Sequence, residues 1–430
     1  MTAPLLATAV RRAAWRLVPF LLLLYILAFL DRVNIGYAKP TFLRDTGLGE
    51  GAYAFGASVF FLAYALLEVP SNLMLSRIGA RAWIGATMIA WGLVSTAMLA
   101  AWSAPVFYVL RFLLGAAEAG FFPGMIWYLG SWFPAGARGG MFGVFYFGAP
   151  LAQIFGGPLS GLLLEMSGRG GLRGWQWMFL VEGVLAVLGG VAACCFLTNG
   201  PAEAEWLPVA QREALQAELA SEDRDKDGGA DASVLPALGL PRVWRLGIIY
   251  GLIQLSVYGV TFYLPSRVAA LLGRNIGFYV GLVSAIPWVC ALVAAYAVPR
   301  LARWNGRRGA TAGCSLAIAA FGIALSSASR PGLGLAGLCL AAAGFIGAQP
   351  IFWTFPADEL SGRSAAGGIA LINSIGAVGG FLAPNLKVMA EGLSGSARGG
   401  ALALAATTFA GAVLVALLRD RRRPVTSPAS

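Results

Sequence analysis

Long apolar runs joined by short polar connections dominate this chain of 430 residues. A helix crosses a bilayer core with about 17 to 25 predominantly apolar residues. Runs of that kind start near residues 16, 50, 82, 105, 138, 175, 243, 276, 309, 331, 363 and 397, which makes twelve candidate spans and predicts an all-α polytopic membrane protein. One long polar interval interrupts the series between Thr198 and Arg242, where Glu203, Glu213, Glu222 and Asp231 stand among scattered bases. Within it, Pro208 to Leu219 reads as an amphipathic helix followed by a linker containing Gly228 and Gly229. The interval divides the spans six and six, giving a first bundle over 1–197, a central loop over 198–242, a second bundle over 243–418 and a tail over 419–430.

The two halves resemble one another, as expected of a duplicated unit. FPGMIW at Phe122, Arg138, the pair Gly139 and Gly140 and the pair Gly156 and Gly157 occur in the first half. QPIFW at Gln349, Arg363, the pair Gly367 and Gly368 and the pair Gly379 and Gly380 follow in the same order in the second. Spans 4 and 5 then correspond to spans 10 and 11, and a path between the halves near the midplane is expected. Pro150 and Pro158 each remove a backbone donor from span 5 and favour a bend there.

Composition narrows the class. Hydrophobic residues make up 58%, charged residues 12%, and mean hydropathy is +0.73, more apolar surface than a water-soluble domain of this length can hide. The first run is followed by further spans and has no small-residue cleavage site, so it reads as a retained helix. The net charge of +11 is mostly a topology signal. Lysines and arginines concentrate in alternate connections, which places both termini in the cytoplasm by the positive-inside rule and leaves no need for a nucleic-acid partner.

Five cysteines fall in apolar runs without metal-ligand spacing, and there is no histidine. No metal or cofactor is expected, and any side-chain proton carrier has to be a carboxylate. Lys39, Lys226 and Lys387 are the only lysines, and none is followed by Ser or Thr, so the phosphate-binding loop of an ATP-driven pump is absent. An enzyme is not expected; an ion gradient is the remaining source of work.

Charge within a span is costly, about 2.5 to 3.5 kcal/mol at the bilayer centre on insertion scales, and usually faces a bundle interior or a cavity. Asp31 and Arg32 lie side by side in span 1, with Asn34 and Tyr37 close by. Adjacent helical residues point about 100° apart, so these two cannot simply neutralise each other. Arg111 and Glu118 in span 4 are seven residues apart and share a helix face, offset by about 10.5 Å. Desolvation and a nearby guanidinium act in opposite directions on a carboxyl's proton affinity, so moving the arginine or giving it a substrate carboxylate would switch the acid. Glu68, before Pro70, reads as an anchor near the end of span 2, and Glu165 and Glu182 as span-end residues. Tyr64, Gln153, Gln254, Tyr258, Trp288, Trp353, Asn373 and Ser374 are candidates for a cavity wall.

Six segments carry a resemblance to a known family: LDRVNIGYA at Asp31, LLEVPSNLMLSRIGAR at Glu68, RFLLGAAEAGFFPGMIWYLGSWFP from Arg111, GWQWMFLVEG from Gly174, WRLGIIYGLIQLSVYGVTFYLP from Trp244 and LSGRSAAGGIALINSIGAVGGFLAP from Leu360. Together, over roughly residues 15 to 418, they resemble the major facilitator superfamily, and within it the anion:cation symporters of organic and sugar acids. The resemblance implies twelve helices in two six-helix bundles in the cell inner membrane. It implies Arg32 as the ligand of a substrate carboxylate, Asp31 and Glu118 as acceptors of the coupling proton, and Arg111 as the partner of Glu118. Tyr64, Trp353 and Asn373 match substrate-facing positions, and Gln153 extends them. The superfamily's pattern after span 8 would put an aspartate near Ala302, ahead of Arg303, Arg307 and Arg308, and this chain lacks it.

These features point to a monomeric secondary transporter moving a small organic anion (a sugar acid, dicarboxylate or aromatic acid) together with protons through the lipid bilayer. A proton-driven exporter, an anion exchanger and a non-transporting membrane sensor are the alternatives.

Overall fold

In the computed structural model, the described residues are 2–224, 238–360 and 363–418, and they are overwhelmingly helical. Twelve helical stretches are long and apolar enough to cross a membrane: Pro4–Thr46, Glu50–Glu68, Ala80–Ala100, Ala104–Trp132, Ala135–Glu165, Gly174–Phe196, Pro241–Leu272, Phe278–Asn305, Arg308–Leu325, Pro331–Pro356, Gly368–Ser394 and Ala397–Ala416. They are numbered here as spans 1 to 12. The widest departure from the sequence expectation is at the start, where the helix already begins at Thr2. Its polar first turns have a partner. They pack on the loop helix Val209–Arg224, with Arg12 Nη1 donating to Gln211 Oε1 at 3.2 Å and Arg16 lying over the rings of Phe196 and Trp206. The far end of the loop helix is tied to span 5, where Glu222 accepts from Ala135 N at 2.7 Å and pairs with Arg138 at 3.4 Å. The Gly228 and Gly229 linker and the tail after Leu418 lie outside the described residues.

Prolines decide where spans break. A proline clashes with the carbonyl four residues earlier and supplies no donor to it. Helices end at Tyr146, Thr261 and Phe352, four residues before Pro150, Pro265 and Pro356, and the break after Glu118 falls at Ala119, four before Pro123. Pro158, expected to bend span 5 as well, instead sits inside the unbroken helix Gly148–Glu165.

The duplication is visible in what the matching glycine pairs touch. Gly156 faces Leu30 of span 1 and Gly157 faces the Gly281 backbone of span 8. Gly379 faces the Gly251 backbone of span 7 and Gly380 faces Phe61 of span 2. In each pair the first glycine packs within its own half and the second crosses to the other half. A Cβ at Gly157 would stand 2.6 Å from the Gly281 carbonyl oxygen, so the crossing of spans 5 and 8 depends on the missing side chain.

The halves meet tightly at the end opposite the N-terminus. There Glu165 accepts from Phe278 N at 2.8 Å, Asn385 donates to Ser58 at 2.8 Å, and Lys39 lies 4.5 Å from the Tyr263 ring centroid. Toward the N-terminal end, spans 5 and 8 diverge around a cavity.

Candidate functional site

The cavity has a volume of about 630 Å³ and is lined by residues of both halves. Three of the proline-induced breaks border it: Phe121 and Phe122, Phe147, and Trp353. Its walls are mainly aromatic and aliphatic. The charged residues among its described lining are Arg32, Arg300 and Arg303, and no carboxylate is among them.

Arg32 lies within span 1, and its side chain is 13% exposed. Nε and Nη2 both donate to Glu118 Oε2, at 3.1 and 2.6 Å, and Nη1 approaches the Tyr258 hydroxyl of the other half at 3.5 Å. The guanidinium also lies over the rings of Phe29, Phe60 and Tyr64 at 5.0, 5.3 and 5.2 Å, contacts that a planar delocalised cation favours. Glu118 is buried behind it, and its Oε1 has no partner.

The expected pairing of Arg111 with Glu118 is not what forms. Arg111 is fully buried and turns to span 2, donating to the carbonyls of Gly56 and Ala57 at 3.4 and 3.2 Å, while Glu118 takes Arg32. An axial offset of about 10.5 Å lets two groups share a face without touching, and Arg32 reaches Glu118 first from the neighbouring span. Arg111 Nη1 remains without a partner.

Asp31 points away from Arg32, as their angular separation requires. It is fully buried inside the first half, where Ser95 Oγ and Asn34 Nδ2 donate to its Oδ1, and it does not line the cavity. Tyr64, Gln254, Tyr258, Trp353 and Asn373 do line it. Gln254 Oε1 is an unpartnered acceptor, and the Trp353 ring stands edge-on to Tyr250 with centroids 4.8 Å apart. Gln153 is the exception among the expected substrate residues. It is 4% exposed and absent from the cavity lining, because the break at Phe147 presents Ala149 and Pro150 to the cavity in its place.

Glu68 lies within the longer helix Glu50–Ile78 and anchors span 2 to the other half. It lies 3% exposed and accepts from Asn373 Nδ2 at 2.6 Å and Ser374 Oγ at 3.4 Å, so it joins span 2 to span 11. Sequence reasoning also missed Arg300 and Arg303 as lining residues; loop charge counting placed them at the end of span 8, and the cavity reaches that far. With no aspartate near Ala302, Arg308 pairs with Asp358 at 2.6 Å. Among the described residues no cluster of His, Cys, Asp and Glu could hold a metal.

Two packed helical halves around a central cavity, with buried charge at its wall, define a membrane transporter. Residues 21–384 match the Major Facilitator Superfamily, and the chain belongs to that family. It is 48% identical over 422 residues to the inner membrane transport protein RhmT of Escherichia coli (strain K12), covering 98% of each chain. It is 40% identical over 419 residues to a putative tartrate transporter of Agrobacterium vitis, covering 97% of this chain and 93% of the relative. The solved structure of a D-xylose-proton symporter shares the fold, with a TM-score of 0.71 at 16% identity over 93% of this chain and 97% of that one. The protein is a transporter and not an enzyme.

Proposed function

We propose that this protein is a monomeric proton-coupled symporter of a small organic carboxylate, working by alternating access in the inner membrane with both termini cytoplasmic. The observation that carries this reading is the charge of the cavity wall: arginines alone among its described charged lining residues, with Arg32 held by a carboxylate just behind it. A guanidinium fork suits a carboxylate, and a cavity whose described lining holds no acid does not repel one. Similarity to the putative tartrate transporter supports a hydroxylated acid as cargo.

Coupling follows from competition. While Glu118 is charged it occupies Nε and Nη2 of Arg32, the nitrogens a substrate carboxylate needs. A proton on Glu118 weakens that hold, so proton and anion load together. Tyr258 and the wall formed by Gln254, Trp353 and Asn373 then meet the rest of the acid from the second half and draw the halves together. With the termini cytoplasmic, the cavity described above is the inward-open form.

The test is uptake by proteoliposomes of a panel of radiolabelled acids that includes tartrate. Accumulation driven by an imposed inward proton gradient supports symport. Exchange between equal concentrations that ignores the gradient would replace it with an anion exchanger.

A further inference from the structure

Behind Asp31, on the side away from the cavity, a second carboxyl is buried without a cation. Glu182 of span 6 is 2% exposed, and neither it nor Asp31 forms an ion pair among the described residues. Ser160 Oγ donates to Glu182 Oε1 at 2.7 Å, and Oε2 has no partner. Asn34, 1% exposed, stands between the two acids: its Nδ2 donates to Asp31, it lies beside Glu182, and its Oδ1 is also without a partner.

A charged carboxylate here would lack a counterion in an apolar interior, and the acceptor Asn34 Oδ1 would stay without a donor. One proton can answer both. Placed on Glu182 Oε2, it makes an O–H that can donate to Asn34 Oδ1 and leaves Oε1 to accept from Ser160. Ser160 lies one helical turn beyond Gly157, the glycine at the crossing of spans 5 and 8. The Tyr37 hydroxyl reaches the same place, 2.7 Å from where a Gly157 Cβ would be, beside Ser284 of span 8. Both hydroxyls are buried and unpartnered.

We propose that Glu182 carries a proton donated to Asn34 Oδ1, and that Asp31, Asn34 and Glu182 form a proton store reached through the crossing of spans 5 and 8 and not through the cavity. The proposal deepens the proton-coupled reading and rests on it. Glu182 is faced by Asp31, Asn34 and Tyr37 of span 1, Ser160 of span 5 and, next to Gly183, Thr96 of span 3; of these Asp31 and Tyr37 titrate. Arg111 and Glu118 also lie near enough to Asp31 to act on its charge. The store holds its proton while the crossing is shut and exchanges it when alternating access opens that end.

Infrared difference spectra of the purified protein in liposomes, recorded across a pH titration without substrate, test this directly. Wild type should show a protonated-carboxyl band that Glu182→Gln lacks, and replacing potassium by sodium at fixed pH should leave it in place. Identical spectra for the two proteins, or a band removed by sodium, would overturn the proposal, the latter in favour of a sodium site. Should Glu182→Gln not fold, Asn34→Ala serves instead: it removes the acceptor and should shift the band, and an unshifted band counts against the store. In proteoliposomes, with the acid that wild type accumulates most as the probe, Glu182→Gln should lower gradient-driven accumulation about tenfold or more and keep exchange near the wild-type rate. Unchanged accumulation would reduce Glu182 to a structural acid. Indifference of wild type itself to a proton gradient would instead sink the coupling reading, even with the Glu182 band present, and the store's role with it.

Discussion

Arg32 directs two nitrogens at a single oxygen of Glu118, Nε at 3.1 Å and Nη2 at 2.6 Å, and leaves the other oxygen of that carboxylate without a partner. A side-on grip on one oxygen uses less of the guanidinium fork than a parallel two-oxygen pair would. The arrangement therefore leaves room for a better competitor. A substrate carboxylate entering the cavity can offer both oxygens, and Glu118 is then left to take up a proton or remain an unpaired buried charge.

Replacement of Arg32 tests the ligand. Arg32→Lys keeps the charge and loses the fork. Hydrogen bonds to charged groups contribute about 1.5 to 3 kcal/mol each, so the affinity for the transported acid, measured by calorimetric titration, should fall at least tenfold or so. Arg32→Ala should lose more and also destabilise the fold, because it strands buried Glu118. Near-normal affinity in Arg32→Ala would remove Arg32 from the site.

Neutralising Glu118 separates binding from coupling. In wild type, acid binding should tighten as pH falls, since protonation of Glu118 releases Arg32. Glu118→Gln should bind with little dependence on pH, retain exchange between equal concentrations and lose gradient-driven accumulation. Asp31→Asn should also lose accumulation, although Asp31 touches no part of the cavity. Proton-driven accumulation in both single variants and in the double variant would take the carboxylates out of the mechanism.

Specificity should reside in the second half. Trp353→Phe and Asn373→Ala are expected to reorder the preference among acids in a competition assay while the proton requirement stays. Because Glu68 holds the Asn373 amide at 2.6 Å, Glu68→Ala should reproduce the preference of Asn373→Ala. Gln153→Ala should leave the order unchanged, since the side chain is outside the cavity. An unaltered order in the first two variants would shift the specificity wall to Gln254 and Tyr258.

The closed end depends on glycines. Gly281→Val places a branched side chain against the Gly157 backbone and should hold spans 5 and 8 apart. Transport should fall by an order of magnitude or more at normal expression, and a cysteine introduced at Ser284 should become reactive to a water-soluble maleimide. Full activity with an unreactive cysteine would show that the crossing tolerates bulk.

Much of this arrangement was legible in the chain. Apolar run length located the spans, and the glycine pairs at Gly156 and Gly379 exposed the duplication, because in each pair the first glycine packs within its own half and the second against the other half. The proline rule was half applied: Pro150 breaks span 5 but Pro158 does not, and local sequence does not say which proline has neighbours that keep the helix straight. Side-chain partners were the least readable. Arg111 and Glu118 share a face, so pairing looked natural from span 4 alone, yet Arg32 arrives from span 1 and Arg111 finds carbonyls on span 2. Glu68 looked like a cap beside Pro70 because its partner, Asn373, is more than three hundred residues away. Gln153 failed for a related reason, since the break at Phe147 sets which face of span 5 meets the cavity.

The central claim is that substrate and Glu118 compete for Arg32. Its most direct test is the number of protons exchanged on binding, obtained by titrating the purified protein with its acid in buffers of different ionisation enthalpy at neutral pH. Competition predicts that wild type takes up a proton as the acid binds and that Glu118→Gln binds the same acid with none. Binding without proton uptake in wild type, or equal uptake in Glu118→Gln, would contradict it.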